Sequence, residues 1–335
     1  MARSPPPRLA PLARLLDRFP GSRVVVVGDF VADEYVYGET ERISREAPVL
    51  IVRFERSELK PGGAGNAAQN LAALGVEVRA VGLVGRDALG SRLLAELRAG
   101  PVDVRGIQRV PGRATEAKTR ILAGGRSTRR QQMLRVDRTP EPIAAAVERR
   151  LIADLRRAAR GATAILASDY GSGVLSPRVV AALRGLRRGG IPVCVDSRYN
   201  LNGFSGLSML KPNENELEAA TGIRASTPAG LLRAARSLQE KAGCQSLLVT
   251  RGQNGMSLFE RGRPPLHLPA HGDKEAVDVT GAGDTVAATY AAALASGADP
   301  ADAMRLANVA AALVVLKPGT ATVGRDEIRR ELPGA

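Results

Sequence analysis

Asp278-Val279-Thr280-Gly281-Ala282-Gly283-Asp284-Thr285 is the stretch on which the fold turns. It follows a short polar loop and opens an alanine-rich run, 286–295, that reads as a helix closed by Gly297. Two glycines let bare backbone N–H groups crowd together at a helix N-terminus, where the macrodipole and unpaired donors favour an anion. Asp284 puts a carboxylate in the same place. An acid beside an anion cradle has a chemical use if it takes a proton from a bound hydroxyl while the amides hold charge developing on a phosphate. The spacing therefore points to phosphoryl transfer. The same eight residues also fit a plain capped helix, with Asp284 as an N-terminal acid and the glycines making a turn.

Upstream, Val24-Val25-Val26-Val27 ends in Gly28-Asp29 and reads as a buried parallel strand. Gly65 to Leu74 reads as a helix closed by Gly75, 78–84 as a strand and 88–97 as a helix. From 141 the rhythm is regular: helix 141–159 and strand 163–167, helix 177–188 and strand 191–195, helix 227–241 and strand 246–250. Helices 285–295 and 300–313 close the chain. Such alternation predicts a mostly parallel sheet covered on both faces. Two stretches break it. Tyr35 to Tyr37 with Val49 to Phe54, and the region 104–138, look like short strands with polar alternation, a small separate sheet that could act as a lid.

Ligands of open α/β sheets bind beyond the carboxyl ends of the strands. Polar clusters stand there: Gly28-Asp29, Ser168-Asp169, Asp196 and Thr250-Arg251-Gly252. Pro61-Gly62-Gly63-Ala64-Gly65-Asn66 is a second glycine-rich turn into a helix, open either to a ligand or to a hinge. Asn213 and Glu216, three apart, form a capping box. They could instead order the waters of a phosphate-bound Mg²⁺, which needs few protein ligands. Asp33 could grip sugar hydroxyls or merely make a turn. Lys118, Arg120 and Arg135 could clamp an anionic substrate or serve as edge-strand charge, the role assigned to Arg129 and Arg130. Neither a Walker loop nor a strand–GxGxxG–helix fingerprint occurs.

The bulk composition narrows the class. The 335 residues carry 48 basic against 34 acidic groups, a net charge of +14. The excess lies largely in Arg pairs on amphipathic helices (Arg149-Arg150, Arg156-Arg157, Arg187-Arg188), and with aromatics at 3% no base-stacking stripe forms. An anionic small-molecule substrate is expected, with no nucleic-acid partner. Cys194 and Cys244 stand apart from each other and from His267 and His271, so free buried thiols in a reducing cytoplasm are expected, not a metal site. The start, with Pro5-Pro6-Pro7 and an apolar stretch broken by Arg14, Asp17 and Arg18, resembles no signal peptide. No apolar run approaches membrane-span length, so no membrane partner is expected.

Taken together, Gly62-Gly63-Ala64-Gly65-Asn66, Asn213-x-x-Glu216 and Asp278-x-Thr280-Gly281-Ala282-Gly283-Asp284 resemble, in that order, the ribokinase-like (PfkB) carbohydrate kinases over about 22–325. Gly28-Asp29-Phe30-Val31-Ala32-Asp33-Glu34-Tyr35-Val36-Tyr37-Gly38, Arg42-Ile43-Ser44-Arg45-Glu46-Ala47-Pro48-Val49, Gln131-Gln132-Met133-Leu134-Arg135-Val136-Asp137 and Ser168-Asp169-Tyr170 are more closely similar to the kinases of D-glycero-β-D-manno-heptose 7-phosphate. Those use ATP to phosphorylate O1 of the sugar phosphate for lipopolysaccharide core synthesis.

The resemblance implies a three-layer α/β/α ribokinase-like fold with a mostly parallel central sheet. It implies an N-terminal extension over 1–21 and a kinase domain over 22–335, with lid segments at about 34–60 and 107–138 and no fused nucleotidyltransferase domain. It implies Asp284 as base and Gly281, Ala282 and Gly283 as the anion hole. Asp33, Gly62, Gly63 and Asn66 are implied as sugar contacts, with Lys118, Arg120, Arg135 and Asp169 grouped beside them. Asn213 and Glu216 are implied at the Mg²⁺–phosphate, Thr250 and Gly252 at the nucleotide, and Asn308 near its base. Asp278 and Thr280, with backbone near Lys317 and Gly319, match the family's monovalent-cation (K⁺) loop. Family members often dimerise through their lids, and Val49, Ile51 and Phe54 offer an apolar face for a homodimer.

Two positions depart from the heptose kinases. Ser172 stands where they usually carry Lys, and Ser197-Arg198 where they usually carry Pro-Lys. Serine supplies no point charge for a substrate phosphate, so Arg198, Lys118, Arg120 or Arg135 is left to supply it. Another sugar or sugar phosphate of the fructose or tagatose type, or a non-catalytic sugar-binding regulator, remains an alternative.

Overall fold

A computed structural model describes residues 10–125 and 130–332. Arg129 and Pro5-Pro6-Pro7 lie outside the described residues. In chain order the elements begin with α1 (Ala10–Arg18), β1 (Arg23–Ile43), β2 (Leu50–Gly63), α2 (Ala64–Ala73), β3 (Glu77–Gly85), α3 (Ala88–Ala99) and β4 (Val102–Val110). Then come β5 (Ala117–Gly124), β6 (Gln131–Arg138), α4 (Ala145–Ala158), β7 (Ala164–Asp169), α5 (Pro177–Arg188), β8 (Val193–Ser197) and β9 (Met209–Leu210). They finish with α6 (Glu214–Thr221), α7 (Pro228–Ala242), β10 (Ser246–Thr250), β11 (Met256–Glu260), β12 (Leu266–Leu268), α8 (Ala282–Ala295), α9 (Pro300–Val314) and α10 (Arg325–Glu331).

The main sheet runs β12-β11-β10-β9-β8-β7-β1-β3-β4, parallel from β10 to β4 and antiparallel only at β11 and β12. The valine run explains why both faces are covered. Successive side chains of a strand point to opposite faces. Val24 and Val26 join a core with α1, α2, α3, α8 and α9, while Val25 and Val27 join a second core with α4, α5, α6 and α7. The three-layer expectation holds.

β1 does not stop where the main sheet ends. Val24 to Gly28 lies between β3 and β7; from Ala32 onward the same strand lies between β2 and β5. β6 pairs with the far side of β5. The lid is therefore the outer half of β1 with β2, β5 and β6, growing out of the body without a hinge loop. Shifts in register near Gly38 and Thr40 absorb its bending.

Three sequence expectations need adjusting. Residues 107–110, placed in the lid, belong to β4 on the edge of the main sheet, where Val102, Val104 and Ile107 are buried. Tyr35 to Tyr37 is not a separate short strand but the middle of β1. Part of the presumed N-terminal extension is core: Leu12, Leu15 and Leu16 repeat at helical spacing on α1 and pack with Phe19 against the body.

α8 is buried on all sides from Asp284 to Ala293. Its alanines carry no bulk, so α2 and α9 approach closely, and its N-terminus is held fast against the tips of β1 and β7. Cys194 and Cys244 are free and buried.

Candidate active site

Gly281 is the N-cap of α8, with φ 78°. A side chain there would be strained, and its Cβ would come within 2.5 Å of Asn66 Nδ2. The two glycine turns that are far apart in sequence are thus in contact. Among the described residues the amides of Gly281, Gly283 and Asp284 take no backbone partner, whereas the Ala282 amide donates to Val279 O at 3.2 Å. Ala282 therefore contributes shape to the predicted anion hole rather than a free donor.

Asp284 is only 4% exposed. Asn66 Nδ2 donates to its Oδ2 at 2.8 Å and the Tyr170 hydroxyl to its Oδ1 at 2.9 Å. Asn70, one helical turn on from Asn66, donates to Asn66 Oδ1 at 3.1 Å and accepts from Thr285 Oγ1 at 3.0 Å. That chain fixes which end of the Asn66 amide faces the carboxylate. Burial raises the Asp284 pKa to about 7, with the nearby Asp196 adding to it and the two donors and Lys211 opposing it. A buried carboxyl poised near neutrality is what general-base chemistry calls for.

Lys211 is the functional residue that sequence reasoning missed. It is 3% exposed, pairs with Asp196 Oδ1 at 3.0 Å, and brings Nζ within 3.5 Å of the Cβ position at Gly283. Burial works against its charge, but Asp196 and then Glu216 outweigh burial and hold its pKa above the ordinary value. A fixed ammonium therefore stands directly over the free amides of α8. The one available signal was a lysine at a strand end before Pro212, which the capping box beyond it obscured.

That capping box is real. Asn213 Oδ1 accepts from the Glu216 amide and Glu216 Oε2 from the Asn213 amide, both at 2.8 Å. Glu216 Oε1 has no hydrogen bond among the described residues. Burial raises the Glu216 pKa, opposed chiefly by Lys211. No cluster of three or more acidic, His or Cys groups able to hold a metal exists among the described residues. These donors do not cage a bare ion, but they suit a hydrated Mg²⁺ that arrives on a nucleotide phosphate. Thr250 lies beside Asn213 through a parallel bridge, its amide donating to Pro212 O at 3.0 Å, and Gly252 opens the exposed turn that follows. Asn308 stands apart on α9, donating to Pro269 O at 2.8 Å.

On the lid side, Asp33 is 6% exposed, and the Arg120 guanidinium donates to its Oδ1 at 2.7 Å. Gly62 lies against Asp33 Oδ2, and Gly63 against the backbone of Asp29 and the ring of Tyr170. Lys118 Nζ stands 4.8 Å and the Arg198 guanidinium 5.3 Å from the centre of that same ring. Neither cation has an acidic partner among the described residues. Arg135 is not brought in: it pairs with Asp137 on the exposed outer strand β6. Asp169 has its oxygens taken by Ser197 Oγ at 2.6 Å and the Gly171 amide at 3.2 Å.

Asp278 accepts from the Thr280 amide at 2.9 Å and the Gly319 amide at 2.8 Å, so the predicted cation loop comes together. These amides outweigh burial and lower its pKa. Asp278 makes no ion pair among the described residues, although the charge of Arg120 reaches it.

A buried acid, unpaired helix amides and a fixed ammonium together suit phosphotransfer, and comparison with known proteins points the same way. Residues 22–327 match the pfkB family of carbohydrate kinases. The bifunctional protein HldE of Pelobacter propionicus is 42% identical over 94% of this chain and 64% of its own length. That of Bradyrhizobium sp. is 44% identical over 92% of the chain and 63% of its own length. Ribokinase of Arabidopsis thaliana, solved with ribose and ATP, superposes with a TM-score of 0.73 at 24% identity, covering 94% of this chain and 99% of its own. Phosphofructokinase-2 of Escherichia coli, solved with potassium, superposes with a TM-score of 0.75 at 19% identity, covering 93% of this chain and 98% of its own. The two structures attest the fold. The chain belongs to the pfkB carbohydrate kinases: it is an ATP-dependent phosphotransferase acting on a sugar hydroxyl. It spans less than two thirds of the length of those HldE relatives. No helix among the described residues is long and apolar enough to cross a membrane.

Proposed function

We propose that the chain transfers the γ-phosphoryl group of ATP to O1 of D-glycero-β-D-manno-heptose 7-phosphate in the cytoplasm. The observation that carries the phosphotransfer chemistry is the buried Asp284 carboxylate, held by Asn66 and Tyr170 beside free α8 amides and Lys211. For the acceptor, the support is the resemblance of the Gly28 to Gly38 and Arg42 to Val49 stretches, joined by two cations, Lys118 and Arg198, that stand beside Tyr170 without a direct ion pair among the described residues.

In this reading the acceptor sugar lies over Gly62 and Gly63, with Asp33 and Asn66 on its hydroxyls. Arg120 holds Asp33 in place. Lys118 and Arg198 take the role of the lysines replaced by Ser172 and Ser197, and face the acceptor phosphate. An Asp284 oxygen accepts the hydroxyl proton as the new O–P bond forms. The Gly281 and Gly283 amides and Lys211 stabilise charge on the phosphoryl oxygens throughout. Asn213 and Glu216 would hold waters of Mg²⁺, which when bound neutralises the nucleotide phosphates. Thr250 and Gly252 line the nucleotide rim, with Asn308 toward the base. Asp278 and Thr280 would hold a monovalent cation such as K⁺. The lid excludes water so that the sugar, not solvent, is phosphorylated.

The lid exposes Ile43, Val49, Leu50, Phe54, Leu134 and Val136, apolar residues that a second copy would cover. A homodimer follows, and sedimentation showing only monomer at micromolar concentration counts against it. The acceptor is tested by following ADP release with heptose 7-phosphate, fructose phosphates and unphosphorylated sugars. The heptose phosphate is expected to give the highest kcat/KM. A higher value for any other acceptor overturns the assignment.

A further inference from the structure

We propose that Tyr170 is a positioning residue for Asp284: its hydroxyl, held in place by an amide anchor on Asp29, keeps the carboxylate ionised and fixed in orientation. The proposal rests on the reading of Asp284 as the base.

The carboxylate has two oxygens and receives one donor on each, from opposite sides: Asn66 from α2 and Tyr170 from the loop after β7. One donor alone would leave the group free to pivot. Two fix its plane, so that a lone pair can meet the incoming hydroxyl.

The loop carrying Tyr170 has little of its own to hold it. Gly171 and Gly173 flank Ser172, and both have positive φ, 82° and 85°. What holds it is Asp29, 1% exposed, where β1 leaves the main sheet for the lid. Asp29 Oδ2 accepts from the amides of Tyr170 at 2.7 Å and Ser172 at 3.2 Å, and Oδ1 from that of Val174 at 3.4 Å. Alternate amides of one loop thus converge on one buried acid. Arg113 adds a bond to Ser172 O at 3.1 Å, and Ser172 Oγ is bonded to Glu116. Sequence reasoning gave Asp29 only a place on the rim. The structure gives it a purpose: it fastens the backbone from which Tyr170 reaches the base.

Asp284 is faced by Asn66 from α2, Tyr170 from the β7 loop, Asp196 from β8 and Lys211 from the end of β9. Tyr170 is faced by Lys118 from β5, by Arg198 after β8 and by Asp196 from β8. Burial and Asp196 favour the neutral acid; the donors and Lys211 favour the carboxylate. Burial and the carboxylate it serves push the Tyr170 phenol well above its ordinary value, so it stays protonated and can only donate toward Asp284. Losing that donor tilts Asp284 toward the neutral acid, which cannot take a proton.

The test is Tyr170→Phe, which keeps the ring between its two cations and removes only the hydroxyl. Two readouts are taken: the pH profile of kcat, and the titration of the Asp284 carboxyl by ¹³C NMR, assigned by its absence in Asp284→Asn. Both midpoints are expected to rise by about one pH unit, the weight of one charge-assisted hydrogen bond. Turnover at pH 6 then falls by roughly tenfold and converges on wild type at high pH. An unmoved carboxyl titration, or a loss of turnover equal at every pH, overturns the proposal. Asp29→Asn, similar in shape but a weaker acceptor, is expected to move the carboxyl midpoint in the same direction; a midpoint equal to wild type overturns the anchoring role. The NMR readout needs no acceptor sugar. If the carboxyl shifts while no sugar is phosphorylated, the positioning stands and the functional assignment fails.

Discussion

The N-terminus of α8 and the lid face each other and are built on opposite terms. Around α8, Asp284 and Lys211 are buried, Glu216 is half-buried, and each is committed: Asp284 to Asn66 and Tyr170, Lys211 to Asp196, Glu216 to its own cap. On the lid, charges are plentiful but mostly solvated, as with Arg135 and Asp137 or Arg53 and Glu39. Arg120 differs, a half-buried lid cation held against the buried Asp33. Chemistry needs groups whose energy depends on where they are, and burial supplies that dependence; a lid needs only to cover the site and exclude water. Solvated pairs contribute little, about 0–1 kcal/mol each, so charge on the lid is a poor guide to function unless it is buried.

Four substitutions put that contrast at risk, in falling order of effect. Asp284→Asn is expected to fold and to lower kcat by at least about 100-fold, the scale of a positioned base, measured by ADP release. Lys211→Met strands Asp196 without its counter-charge. Breaking such a buried pair costs about 3–5 kcal/mol of stability, to be read by urea unfolding. Adding Asp196→Asn should restore the stability but not the turnover, which separates the structural from the electrostatic role. Arg120→Ala should raise the acceptor KM about tenfold with little change in kcat, as loss of a charge-assisted clamp implies. Arg135→Ala should change neither parameter by more than about twofold, as expected of a solvated pair. Equal effects from the last two would erase the distinction between buried and solvated lid charge.

How much of this was legible in the sequence follows the same divide. Gly281 and Asp284 were readable because their requirements are local: a positive φ at a helix cap and an acid in the first turn. The valine run was readable because a strand buried on both faces cannot alternate. The continuity of β1 into the lid was hidden, since Asp33-Glu34 and Gly38 look like breakers and only pairing on both sides keeps them extended. β4 was hidden by the polar residues of an edge strand. Lys211, Tyr170 and Asp29 acquire their meaning from partners between 15 and 145 residues away, which no local pattern records. Asp169 shows the converse: its place on the rim was legible, but its commitment to Ser197 was not.

The central claim is that Asp284, buried and raised to about 7, is the group that must be ionised for transfer. A carboxyl whose pKa is raised works as a base only above that value, so activity should be lost as the pH falls through it. The most direct test is the pH dependence of kcat under single-turnover conditions, from pH 5 to 9. The account predicts an ascending limb with a midpoint between about 6 and 8, near the raised carboxyl value, and no such limb in the residual activity of Asp284→Asn. A flat profile across that range, or the same limb persisting in Asp284→Asn, would contradict it.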